Sequence, residues 1–235
     1  MKLGKIISWL DRTLKVADFD DVSNNGLQVD RFVASTQTLK HSNTQTISTV
    51  AFAVDASVRA VEAAAKAGAQ LLVVHHGISW GGGIKRLEGG VGNVVRAAMK
   101  HNLAIAAYHL PLDAHPTLGN NAQLAKYFGL KKVRPAFSYH GNVIGVIGTN
   151  RHGKLIGICS GGAGEFAEEA KNRGCDLYVT GEANWGDVIA AENCGMKVIC
   201  AGHYETEVFG VRALAKAMKT SLKVRAVDLT DLLKP

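Results

Sequence analysis

The sequence predicts an α/β protein made of two similar halves. Three observations carry that expectation. Short apolar runs alternate with helical patterns along almost the whole chain. The helical patterns stop at glycines such as Gly68 and Gly129, the usual C-terminal punctuation. The second half also echoes the first at two places, each time at the end of an apolar run.

The elements follow in order. The opening "MKLGKIISWLDRTLKVADF" sets Leu3, Ile6, Ile7, Leu10 and Leu14 at helical spacing. It lacks the continuous apolar segment of a signal peptide and reads as a soluble amphipathic helix. "TISTVAFAVD" reads as a strand, "SVRAVEAAAKAG" as a helix and "AQLLVV" as a strand ending before His75 and His76. A helix over "VGNVVRAAMKHN" and a strand over "LAIAAYH" come next. Pro111 and Pro116 then hold "HLPLDAHPTLG" out of helix as a shaped loop. "NNAQLAKYFG" is a short helix capped by an asparagine. Strands "NVIGVIG" and "KLIGICS" follow, then helix "EFAEEAKNRG", strand "CDLYVT" and helix "WGDVIAAENCG". Strand "MKVICAG", helix "YETEVFGVRALAKAMKT" and strand "LKVRAVDL" close the chain.

A length of 235 residues supports one large domain or two small ones. The expected division is residues 1–130 and 131–235, with part of the C-terminal region packed on the first half. No apolar run approaches the roughly 20 residues of a membrane span. The protein reads as cytoplasmic. Cys159, Cys175, Cys194 and Cys200 form no C-x-x-C pair and lie in or beside apolar segments, as buried free thiols do. The net charge of +7 serves solubility or attracts phosphate-rich partners. Lys126, Lys131, Lys132 and Arg134 form one basic cluster, without any recognition-helix, RRM or zinc-finger signature.

The echoes place polar groups at matching strand ends. "AAAKAGAQLLVVHH" aligns with "EAKNRGCDLYVTGE", matching Gly68 to Gly174 and His75-His76 to Gly181-Glu182. "LAIAAYHLPLD" aligns with "KVICAGHYETE", matching His109 to His203 and Asp113 to Glu207. In open α/β sheets the C-terminal strand ends bind ligands. His203 at the mouth of a helix puts Glu207 one turn on, where imidazole and carboxylate can chelate one ion. The structural alternative is a helix start whose Glu205 and Glu207 face the dipole. Adjacent histidines on a strand point apart. Gly77 would let the chain turn away, so that His75 and His76 feed two different ions. The alternative is one core histidine and one exposed one. His75, His76, His203, Asp113 and Glu207 supply three imidazoles and two carboxylates, a mix that suits zinc, iron or manganese. "SGGAGE" offers a possible phosphate cradle, with tight strand-to-helix packing as its alternative.

Together "SNNGLQV", "VVHHGISW", "HLPLDAHPTLGNN", "CSGGAG", "DLYVTGE" and "AGHYETE" resemble the NIF-three-like family, also called the GTP cyclohydrolase 1 type 2 family. The match runs from about Asp21 to Glu207 in the family's order, and its specificity lies in the combination. The resemblance implies a fold of two similar α/β halves, in a short form without an inserted domain. It implies two divalent metal ions held by His75, His76, Asp113, His203 and Glu207. It also implies a ring-shaped homo-oligomer, often a hexamer. The loop "LPLDAHP" is similar to a shorter archaeal-type pattern, so no role for His109 or His115 carries over.

Two functions are expected on these grounds. One is a metal-dependent hydrolase acting on a nucleotide or related cyclic amide or ester, with His109, His115 and Glu182 as candidates for moving protons. The other is a metal-stabilised oligomeric scaffold that binds nucleic acid or a transcription-related protein without catalysis.

Overall fold

The computed structural model describes residues 1–32 and 46–235. The chain divides into two compact units, Met1–Pro111 with Leu214–Pro235, and Leu112–Ala213. This differs from a division at 130/131.

The first unit opens with helix α1 (Leu3–Leu14), which buries Leu3, Ile6, Leu10 and Leu14 as one stripe. Its sheet has the order β1 (Gly26–Val29), β4 (Ala104–Ala107), β3 (Leu71–His76), β2 (Thr49–Asp55) and β10 (Arg225–Asp228). Strands β10, β2, β3 and β4 run parallel, and β1 pairs antiparallel on β4. Three helices cover one face: α2 (Val58–Lys66), α3 (Gly89–Lys100) and α9 (Thr230–Leu233). Val61 and Ala64 of α2, Val94 and Ala98 of α3 and Leu233 of α9 pack on Ala51, Ala53, Leu72, Val74 and Ile105. These strand residues are spaced by two, so they share a sheet face. Ser57 caps α2 by accepting from the Ala60 amide at 3.1 Å.

The second unit begins in the one-turn helix α4 (Leu110–Asp113) and continues with α5 (Asn120–Tyr127). Its sheet has the order β5 (Lys131–Tyr139), β6 (Asn142–Thr149), β7 (Leu155–Cys159), β8 (Leu177–Thr180) and β9 (Val198–Cys200). Strands β7, β8 and β9 are parallel, while β5, β6 and β7 are antiparallel. Helices α6 (Ala167–Asn172) and α7 (Trp185–Asn193) join the parallel strands, and α8 (His203–Leu222) follows β9. Leu124, Ala125 and Leu130 bury against Ile156, Ile158 and Val179. That core makes α5 part of this unit, although it precedes residue 130.

Each unit contains the same path of strand, helix, strand, helix, strand, all parallel: β2-α2-β3-α3-β4 and β7-α6-β8-α7-β9. The echoes align β3 with β8 and β4 with β9. The expectation of two similar α/β halves holds.

Several local expectations are corrected. Strand β3 runs through both histidines instead of stopping before them, and His76 lies opposite Asp55 of β2. The segment after His109 is not simply a loop, because Pro111 falls in the first turn of α4, where no amide partner is lost. Gly119, not an asparagine, occupies the N-cap of α5. Strands β1 and β5 are additional to the strands the sequence predicts. Lys131, Lys132 and Arg134 lie exposed on β5, which is the edge of its sheet and carries Pro135. Charge and proline on an edge strand block pairing with other strands, a sufficient reason for the cluster. All four cysteines are free, but Cys200 is exposed and Cys194 only partly covered. Among the described residues, no helix is long and apolar enough to cross a membrane.

Candidate metal centre

The first unit gathers three imidazoles at the C-terminal ends of its strands. His75 is fully buried in β3, and its Nδ1 lies 2.9 Å from the carbonyl oxygen of Tyr108. Tyr108 is itself fixed, since its hydroxyl donates to Asp11 of α1 at 2.8 Å. His76 has its Nδ1 2.9 Å from Asp55 Oδ1, a contact set by their opposite positions on neighbouring strands. His109, two residues beyond β4, has its Nδ1 2.9 Å from Asp21 Oδ1.

Asp21 is tied on every side. Its Oδ1 also accepts from the Ser23 amide at 3.0 Å, and its Oδ2 accepts from the Leu110 amide and the Asn25 side chain. Burial would raise its pKa. The hydrogen bond and charge of His109, with Asn25 and Ser23, outweigh burial and hold the carboxyl below its ordinary value.

The three rings face one another. Ring centroids are 4.6 Å apart for His75 and His76, 5.1 Å for His75 and His109, and 5.6 Å for His76 and His109. One donor atom from each of the three lies within 4.8 Å of the other two. The rings of His75 and His76 do not point apart as expected, because both lie beside that of His109. Gly77 also has a different reason from the expected one. A Cβ there would overlap the Gln28 side chain and come 2.5 Å from Ala107 Cβ. The position needs close approach, since Gln28 Oε1 must accept from the Ile78 and Ser79 amides at 2.7 and 3.2 Å. Trp80 donates its indole N–H to the Gly77 carbonyl at 3.0 Å and sets its ring edge-on to His109, with centroids 5.1 Å apart.

The second unit builds its donors from α8. His203 is the first residue of the helix, and its Nε2 lies 3.1 Å from Glu207 Oε1 one turn on. Its Nδ1 lies 2.8 Å from Glu182 Oε1. Glu207 is buried at 3 % exposure. Space for this pair comes from Gly161, which has a left-handed φ of +69°. A Cβ at Gly161 would overlap Glu207 Oε1 and come 3.2 Å from His203 Nε2. The glycine loop thus makes room for the donors. Two of its amides are also engaged: Gly161 N–H donates to Thr206 Oγ1 and Ala163 N–H to Thr180 Oγ1. This is the packing alternative to a phosphate cradle.

Asp113, at the end of α4, is 7 % exposed, and its Oδ1 accepts from Asn120 Nδ2 at 2.8 Å and Ser160 Oγ at 3.1 Å. Asn120 accepts in turn from the Gly210 amide of α8 at 2.6 Å. His115 Nδ1 accepts from the Leu118 and Thr117 amides at 3.0 and 3.2 Å, which gives it a turn to hold. Glu182 Oε1 lies against His203 Nδ1, where it orients that ring.

Sequence reasoning named the ligand-type residues but missed the residues that aim them. Asp55 closes the run "AFAVD" one strand away from His76, and that strand-end position was its signal. Asn120 lies within "HLPLDAHPTLGNN", and Asp21 two residues before "SNNGLQV". Tyr108 and Asp11 left no trace, since a tertiary hydrogen bond across 97 positions has no local pattern.

The donor chemistry fits a divalent transition metal. A carbonyl oxygen or ionised carboxylate only accepts, so the Nδ1 atoms of His75, His76 and His109 carry their protons and the lone pair of each neutral ring is on Nε2, while His203 stands between the carboxylates of Glu182 and Glu207. This is the arrangement typical of metal-ligating histidines. Fold and donors together define an internally duplicated α/β protein with histidine and carboxylate donors at its strand ends. The chain belongs to the Duf34/NIF3 (NGG1p interacting factor 3) family, whose sequence model matches residues 1–154 and again residues 140–231. Among curated relatives it is 36% identical to a GTP cyclohydrolase 1 type 2 homolog of Pyrococcus horikoshii, covering 98% of each chain. It is 37% identical to one of Deinococcus radiodurans, over 90% of this chain and 86% of that one. Among solved structures it is similar to protein ybgI, described as of unknown function, with 26% identity, 97% of each chain covered and a TM-score of 0.84.

Proposed function

We propose that the protein is a dinuclear metal hydrolase of the GTP cyclohydrolase 1 type 2 kind, acting on a nucleotide or a related cyclic amide or ester. The proposed ligands are His75, His76, Asp113, His203 and Glu207, with two ions of iron, zinc or manganese. One observation carries the reading. Three imidazoles, His75, His76 and His109, are each held at Nδ1 by an acceptor oxygen, and His203 is set between the carboxylates of Glu182 and Glu207. The names of the curated relatives support the substrate class.

When bound, such ions supply Lewis acidity and make water acidic enough to be useful near neutral pH. The chain's own residues orient and move protons. Asp21 keeps His109 protonated at Nδ1, so its Nε2 can take up a proton beside the other two rings. His115, accepting at Nδ1, keeps its proton on Nε2 and can donate it. Asp55, Tyr108 and Glu182 hold the remaining rings in place. A cytoplasmic location and a ring-shaped homohexamer belong to the same proposal, and sedimentation analysis tests the hexamer.

The test is turnover of GTP by protein loaded with iron, manganese or zinc. Glu207→Ala should lower it by at least about 100-fold, a typical loss when a group central to the chemistry is removed. If Glu207→Ala turns over at the wild-type rate, the mechanism is wrong. If GTP and related cyclic amides are untouched while metal-site variants lose only thermal stability, the scaffold reading replaces it.

A further inference from the structure

Helix α1 forms a wall of a cleft of about 610 Å³ within the first unit. Lys2, Lys5, Ser8, Trp9, Arg12 and Leu222 are among its lining residues, and no acid is among the described ones. None of the histidine or carboxylate donors described above touches it. Positions 2, 5, 9 and 12 recur at intervals of three and four, so three cations and an indole share one stripe of the helix. Asp11, the nearest acid along α1, is turned away to accept from Tyr108. The first turn of α1 holds no acid either.

This stripe runs against the ordinary electrostatics of a helix. Acids favour the N-terminal end and cations the C-terminal end, yet Lys2 and Lys5 lie at the N-terminal end. Like charges one turn apart also repel. A local conflict of this kind marks a functional position more often than a stabilising one. A bound anion removes both penalties. Trp9 adds a half-buried ring flanked by the cations, about 6 Å along the axis from Lys5 and about 4.5 Å from Arg12. Aromatic rings beside cations recognise a flat heterocycle attached to phosphate.

We propose that this cleft binds a mononucleotide-like ligand, a phosphate group joined to a flat heteroaromatic ring, as a second site separate from the metal donors. The ring stacks on Trp9, and the phosphate is held by Lys5 with Lys2 or Arg12. A free small molecule is favoured over a nucleic-acid strand, because strand grooves repeat stacking rings along their length and this cleft has one among the described residues.

The test uses the full chain as purified. The sequence has three tryptophans, so Trp80→Phe with Trp185→Phe leaves Trp9 as the sole indole reporter. GMP and AMP should quench it saturably. Guanosine alone and inorganic phosphate alone should each bind at least about tenfold more weakly, because each keeps half of the contacts. Lys5→Ala with Arg12→Ala should weaken GMP at least about tenfold while the circular dichroism stays unchanged. Raising salt from about 50 to 500 mM should weaken GMP in step. His75→Ala with Glu207→Ala should leave quenching intact, so loss of the metal reading would not take this one with it. The proposal is overturned by absence of saturable quenching, or by quenching that survives Lys5→Ala with Arg12→Ala. It is also overturned if a single-stranded oligonucleotide displaces GMP and binds at least tenfold more tightly.

Discussion

Gly161 shows how closely the second donor set is fitted to its own backbone. Its φ is left-handed, and any Cβ would overlap the Glu207 carboxylate. Gly161→Ala should therefore cost about 1–3 kcal/mol of stability, from backbone strain and a displaced buried carboxylate, and should lower metal content. Thermal melts together with elemental analysis of the variant check both effects. Asp21 gives a pH signature. Its folded carboxyl titrates below the ordinary value of 3.8. Because the folded pKa is depressed, the stabilisation is complete above that ordinary value. It disappears as pH falls through the lower folded value. Urea unfolding of metal-free protein should show wild type more stable than Asp21→Asn at pH 7, with the gap closing below about pH 4. A gap that stays constant into that range would show that Asp21 acts through shape and not charge. At this scale the sequence revealed the candidate donors but not the side chains that aim them. His203 and Glu207 were legible because one helical turn fixes their separation. The partner of His75, a carbonyl 33 residues away, was not.

Elements were read best where period and punctuation agree. Helix α1 shows its stripe plainly, and α2 announces its end at Gly68, where φ is +74°. Strand β5 was hidden because Lys131, Lys132, Arg134 and Pro135 break the apolar alternation that marks strands. Those residues suit an edge, whose identity depends on which strands pair and is invisible locally. Helix α5 illustrates a second limit. Asn120 was expected to cap the helix, yet it is fully buried and links Asp113 of α4 to Gly210 of α8. Asn120→Ala would leave a buried carboxylate oxygen and a buried amide each short of a partner. It should lower stability by about 2–4 kcal/mol. Asn120→Asp should be worse, since it sets a second carboxylate against Asp113. Chemical denaturation of the two variants tests that order. Equal stability of both would show that the amide donor is not what holds Asp113.

Across the whole molecule, duplication is the feature that links sequence to function. The two halves share few residues, yet each retains the parallel strand-helix path and places a histidine within three residues after its third strand, His109 in one and His203 in the other. Repetition of a topology is legible from weak echoes because polar groups recur where a strand should end. What the echoes could not show is that His75, His76 and His109 converge, which depends on β3 and β4 being neighbours in the sheet. His75, His76 and Glu207 are central to the proposed metal site. Elemental analysis of purified wild type, His75→Ala, His76→Ala and Glu207→Ala, each confirmed folded by circular dichroism, tests it most directly. About two iron, zinc or manganese ions per wild-type chain, with at least one lost in every variant, is the predicted result. Folded variants that retain the wild-type metal content would contradict it.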